Sequence, residues 1–245
     1  MAEFDTVRGH AGTRAPTIDE GLRAYMNKVY GLMSAALAVT FALAYVVASS
    51  PALMQVLLVP PLVYAVIFGP LAFVMVANFA FQRLSTGALN AIFWAYAALT
   101  GVSLSVIFLM FSMTDIVSGF LFTAIGFLGL SITGYVTKRD LGPINQIAVM
   151  MTWGLVAIGL IGFFMGGLGE NGFWLYNIAI LGVFAVLTAT STQGIKNMYL
   201  EARHHGGQEA QLFLEKAAII GALQLYISFI AMFRSIMYLF MGNRD

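Results

Sequence analysis

Side chains able to do acid–base, nucleophilic or metal chemistry are scarce in this chain, and the few present are badly placed for it. The three histidines, His10, His204 and His205, all fall in polar stretches. There is no H-E-x-x-H, and neighbouring His204 and His205 would point apart on a helix. The glycines beside them, Gly206 and Gly207, read as a flexible loop, so no metal site is expected. The chain has no cysteine, which removes disulfides, thiolate nucleophiles and soft metal sites. Ser103, Ser105, Ser131 and Ser191 lie in apolar runs with no His or Lys at their depth to activate them. Their hydroxyls are expected to bond a preceding carbonyl or a neighbouring helix. No Asp or Glu falls well inside an apolar run, which argues against a carboxylate proton relay. Neither an enzyme nor a cofactor protein is expected.

A few polar residues do sit inside apolar runs. Arg234 lies about two turns from the end of the last run, roughly 9 Å at 1.5 Å per residue. Its long side chain can reach the membrane boundary from there, or it can face an interior cavity. Gly221, Gln224, Ser228, Ala231 and Ser235 follow steps of three and four residues and are expected to share one helix face. Thr188, Ser191 and Thr192 do the same near the end of the preceding run. Two such stripes on adjacent helices belong inside a bundle, where the pattern fits a pore lining and a hydrogen-bonded seam equally.

The elements that must hold these residues are membrane spans. Of the 245 residues 60% are hydrophobic and only 9% charged, against roughly a quarter charged in soluble domains. So few charges cannot cover a globule in water, and lipid must be a partner. A net charge of +1 gives no argument for nucleic acid. Runs of about twenty apolar residues predict seven helices: Val29 to Ala48, Val59 to Phe81, Ala88 to Met110, Ile116 to Val136, Ile144 to Met165, Phe173 to Gln193 and Ala217 to Phe240. Pro60 suits the first turn of the second span and Pro70 predicts a kink within it. Residues 1–28 form a polar tail that lacks a signal-peptide pattern, 29–240 the membrane domain and 241–245 a short C-terminal tail. Lys and Arg cluster in alternate segments: Arg8 to Lys28, Arg83, Lys138 with Arg139, and Lys196 to Lys216. The connections near Ser50, Asp115 and Glu170 have none, which predicts the N-terminus inside and the C-terminus outside. The pairs Ala38 and Ala42, Ala91 and Ala95, and Gly162 and Gly166 are spaced to let helices approach closely.

Three stretches resemble the Bax inhibitor-1 (transmembrane Bax-inhibitor-motif) family in its bacterial branch. Gly134-Tyr135-Val136-Thr137-Lys138-Arg139-Asp140-Leu141 is similar to its G-Y-x-T-K-R-D-L stretch. Thr192-Gln193-Gly194-Ile195-Lys196 with Tyr199 is similar to D-T-Q-x-I-K-x-x-Y without the Asp, and Gly221-Ala222-Leu223-Gln224-Leu225-Tyr226 with Phe229-Ile230 to the signature of the last helix. The resemblance spans nearly the whole chain. It implies an all-α bundle of seven membrane helices, the seventh central and six around it in two three-helix layers. It also implies residence in a bacterial inner membrane, and either a leak for calcium or another cation or a role in stress regulation. A membrane-bound protease or another membrane protein is the alternative partner, with the chain a non-conducting regulator.

The resemblance fails at the family's functional centre. Its paired aspartates on helices six and seven correspond to Ser191 and Ser228, and the acid many relatives carry on helix three corresponds to Thr100 beside Gly101. Two carboxylates sharing a buried site titrate as a pair, whereas hydroxyls do not ionise near neutral pH. Ser191 and Ser228 are therefore candidate pore or latch positions without a pH sensor. Thr100, Thr188, Gln224 and Arg234 are the other candidate interior polar residues.

Overall fold

The computed structural model describes residues 5–57, 59, 84–205 and 207–241, with side chains placed at 20–57, 59, 84–203 and 207–239. Seven α-helices lie within them: α1 (Asp5–Ala48), α2 (Pro51–Leu57), α3 (Thr86–Met110), α4 (Met113–Val136), α5 (Gly142–Phe164), α6 (Gly169–His205) and α7 (Gly207–Ile236). A π-helical turn, Met237–Met241, continues α7. Six of the helices are long and apolar enough to cross a membrane. The predicted second span, with Pro60, Pro61, Pro70 and Arg83, lies outside the described residues apart from Val59.

Local chemistry sets the helix starts. Ser85 caps α3 by accepting from Ala88 N at 3.2 Å. Ser112 caps α4 by accepting from Asp115 N at 3.2 Å, while its hydroxyl donates to Asp115 Oδ2 at 2.6 Å. Pro143 occupies the first turn of α5, where Asp140 Oδ1 accepts from Gly142 N at 2.9 Å.

Two sequence expectations are corrected. The polar connection from Lys196 to Lys216 is not a loop: α6 runs on to His205, and α7 begins at Gly207, whose φ of +86° suits glycine. Asn197 to Arg203 and Gln208 to Lys216 are mostly good helix formers, so hydropathy located the lipid-facing length and not the helix ends. The Gly162 and Gly166 pair is not helical either, since α5 stops at Phe164 and Gly166 has φ +82°. Packing also begins earlier than Val29, because Leu22, Tyr25 and Met26 are already in the core.

Close helix approach occurs at other small residues than those paired in the sequence. Ala91 and Ala95 are exposed. A Cβ on Gly101 would stand 2.7 Å from Thr40 O, one on Gly134 2.1 Å from Ala189 O, and one on Gly221 2.9 Å from Ile195. These three glycines seat α3 on α1, α4 on α6 and α7 on α6. Thr40 by Ala97, Leu43 by Gly101 and Tyr45 by Phe108 show that α1 and α3 run parallel. Ser131 by Thr192 at one end and Gly119 by Met237, next to the Phe173–Tyr238 pair, at the other show the same for α4 and α6. α7 lies among α1, α3, α4 and α6. In its most apolar stretch 72% of residues are buried, against 17% in that of α5. Its ring contacts are aromatic throughout: Phe229 meets Phe120 and Phe127, Phe233 meets Phe41, and Tyr226 meets Phe93 and Tyr96, at centroid separations of 5.2–6.5 Å.

Candidate functional site

Most interior polar groups of the described bundle are hydroxyls, and two sets of them join different helices. The first joins α1, α3 and α7. Thr40 Oγ1 lies 2.7 Å from Tyr226 Oη and donates to Ala97 O at 2.9 Å, with Thr40 and Tyr226 both fully buried. Thr100 is buried with its hydroxyl beside the phenols of Tyr96 and Tyr226. The second set joins α1, α4 and α6. Tyr30 Oη bonds Ser131 Oγ, which lies 3.1 Å from Thr192 Oγ1, which in turn donates to Thr188 O at 2.8 Å. Thr188 returns its hydroxyl to Phe184 O at 2.8 Å and faces Met232 Sδ of α7 at 3.6 Å. Such bonds weld helices and remove each hydroxyl's cost in hydrocarbon.

The predicted site residues divide. Thr188 and Thr100 are interior. Ser228 is buried and Ser191 half-buried. The contacts that bracket them, Ile195 with Gly221 and Thr188 with Met232, put the two serines at one level of the bundle. No hydrogen bond joins them among the described residues. Gln224 and Arg234 are exposed, which corrects their assignment to the interior. The reason is helical phase. Gly221, Ser228 and Ser235 are seven residues apart, drift only about 20° per step and keep to one buried line. Gln224 falls off that line, on the less buried stripe with Ile220, Ile227, Ala231 and Arg234.

A third arrangement, which spacing did not reveal, ties the turn between α4 and α5 to α6. Gln193 is buried; its Oε1 accepts from Leu141 N at 2.8 Å, and its Nε2 donates to Thr137 O at 3.2 Å and Arg139 O at 2.7 Å. One amide thereby satisfies carbonyls left open at the end of α4 and the N–H of Leu141, the N-cap of α5. Lys196 Nζ donates to Tyr135 O at 2.8 Å and stands 5.1 Å over the Tyr135 ring, a cation at the negative end of α4. Beyond it Tyr199 stacks on Tyr25 at 5.2 Å and closes over Gly21, with Arg203 above its ring. Thr190 donates to Asn145 Oδ1 of α5 at 2.8 Å. The signal was available, because Gln193, Lys196 and Tyr199 all lie in a stretch singled out by its motif. What they bind was not, since the partners are main-chain atoms.

Among the described residues no three His, Asp or Glu side chains gather in one place. The buried polar side chains are neutral hydroxyls and the amides of Asn177 and Gln193.

Residues 22–245 match the family model described as inhibitor of apoptosis-promoting Bax1. The inner membrane protein YbhL of Escherichia coli strain K12 is 36% identical over 227 residues, 91% of this chain and 93% of the relative. An uncharacterized protein of Caulobacter vibrioides is 34% identical over 240 residues, 94% and 92% of the two chains. An uncharacterized membrane protein of Streptococcus pyogenes is 31% identical over 234 residues, 93% and 96% of the two. With six membrane-length helices and a family match over almost the whole chain, this is an integral membrane protein belonging to the Bax inhibitor-1 family.

Proposed function

We propose that the chain is a cation leak pathway, with calcium the first candidate, held shut by α7 in this conformation, and that it is not an enzyme. The observation that carries this reading is the buried hydroxyl set around α7, Thr40 with Tyr226 and Thr188 with Thr192. Polar groups at membrane depth that face the bundle interior are the usual markers of an ion path. Conduction then requires α7 to shift, because Tyr226 and Phe233 fill the centre.

Seven spans in two inverted layers accord with this reading. α1 and α3 run parallel. The α4 and α6 pair runs the other way, as in inverted repeats. The Lys and Arg bias supports an N-terminus inside, and the name of the Escherichia coli relative favours the inner membrane. A second reading, a non-conducting regulator of a membrane-bound protease or another membrane protein, is favoured by α5. Met150 and Trp153 there are 74% and 55% exposed, a broad surface for a partner helix.

Purified protein in liposomes loaded with a calcium dye distinguishes the two. The leak reading expects entry above protein-free vesicles and more entry for Tyr226→Ala, which empties the centre. No entry from either protein, with a protease retained on the purified chain, overturns it in favour of the regulator.

A further inference from the structure

We infer that the crevice between α1 and α4 is a binding site for one acyl chain of a membrane phospholipid. The cavity is about 500 Å³, within the range of small-molecule sites. Phe41 of α1, Phe108 of α3 and Phe120 of α4 wall it, with Phe41 edge-on to Phe120 at 5.2 Å. Its mouth is continuous with the surface the protein presents to lipid, for Tyr45, Val117 and Leu121 are 52%, 51% and 54% exposed.

Three features select an acyl chain over a helix or a soluble ligand. The first is position. The crevice opens on the exposed apolar flank of two helices long enough to cross a membrane, where lipid would be the solvent and need no recruitment. The second is depth. The lining runs from Ser34 to Tyr45, and a smaller cavity of about 150 Å³ shares Tyr45, Phe108 and Ile116 and carries the path on to Ser49. From Ser34 to Ser49 a helix rises roughly 22 Å. The hydrocarbon of one leaflet is about 15 Å, half the bilayer core, so a single chain with its ester region fits this length. The third is polarity. The body of the crevice is aromatic and aliphatic, while the Ser49 end adds the Ser49 hydroxyl where a glycerol ester would lie. A helix, about 10 Å across, is too thick for a slot whose Phe41 and Phe120 rings touch.

The occupant would pack on Phe41, whose ring also contacts Phe233 of α7. A seated chain is thus one ring away from the central helix. The inference does not depend on whether the protein conducts, and its test reads labelling, not flux.

The test uses full-length protein in nanodiscs doped with a phosphatidylethanolamine that carries a diazirine midway along one acyl chain. After photolysis, adducts are mapped by peptide mass spectrometry. Phe41, Phe108 and Phe120 should be labelled on the order of tenfold more, per exposed area, than Met150 and Trp153 on the outer face of α5. Ala38→Trp, which fills the slot from the exposed side of α1, should abolish that excess and leave α5 labelling unchanged. Leu121→Trp at the mouth does the same job should Ala38→Trp not fold. Labelling that merely follows exposure, or an excess that survives the slot-filling variant, overturns the inference.

Discussion

The hydrogen bonds of Gln193 give a stability prediction that can be worked from the coordinates. Its amide makes three bonds, to Leu141 N, Thr137 O and Arg139 O, and all three partners are main chain. Gln193→Ala removes them together, and no neighbouring side chain can replace them. Each bond contributes about 1 kcal/mol in soluble proteins and about 0.6 kcal/mol within membranes, where the unfolded reference finds partners too. The loss is therefore about 2–3 kcal/mol. For a chain of this size each kcal/mol lowers the midpoint by about 2–4 °C, which gives a fall of roughly 4–12 °C.

The assay is thermal unfolding of purified protein in mild detergent, followed by the loss of the monodisperse peak on gel filtration. Gln224→Ala serves as control, because Gln224 is exposed and makes no hydrogen bond among the described residues; its shift should be within about 1–2 °C, the effect of an ordinary surface change. Gln193→Glu tells amide donation from bulk. A carboxylate can still accept from Leu141 N but faces two carbonyls it cannot donate to. It should lose at least as much as the alanine variant above neutral pH. A Gln193→Ala protein as stable as the parent would refute the argument that this amide holds the α4–α5 turn.

Two further predictions follow from the close contacts and from the serines. Gly134→Ala forces a Cβ to within 2.1 Å of Ala189 O, so α4 and α6 must separate; a loss of about 3 kcal/mol or more, seen as poor recovery of folded protein, is expected. For Ser191 and Ser228, any flux or stability of the parent should lack a step from a buried acid pair. Ser228→Asp places a carboxyl where burial raises its pKa above the ordinary value of about 3.9. The folded state then holds the proton more tightly than the unfolded one, so stability falls as pH rises from about 4 up to the raised value. Unfolding midpoints measured against pH should slope in this way for Ser228→Asp and stay flat across that window in the parent.

Helix existence was legible from the run lengths because the bilayer imposes one length on every crossing, and six runs reappear as helices. Helix ends were not, since a polar stretch such as Asn197 to Arg203 continues α6 without any change a hydropathy reading could register. The interior hydroxyls were half legible. Thr188 and Thr192 stood on a recognisable stripe, but Thr40 had only apolar residues three and four positions away on α1, and the spacing of Tyr30 did not name its partner. They matter through partners on α7 and α4, 186 and 101 residues away. Gln224 was misplaced for a geometric reason: one step of three residues from Gly221 turns about 60° off the line, whereas the spacing of seven that joins Gly221, Ser228 and Ser235 drifts only about 20° per step.

The motif residues carry a further consequence for where function sits. Gly134, Gln193, Lys196, Tyr199 and Gly221 all act on the end of the bundle that holds the Lys and Arg-rich turns, and each does so by fitting or bonding main chain or rings. Fixing main chain is a demand of the fold, so a chain can keep these residues whatever its interior does. The interior, by contrast, holds Ser228 buried and Ser191 half-buried at one level, and the bundle closes around them. Substitution at Ser191 and Ser228 is compatible with the fold because neither side chain bonds the other and neither supports a turn. The joint and the interior are thus separable parts: altering Gln193 should lower stability, while altering Ser228 should change the response to pH.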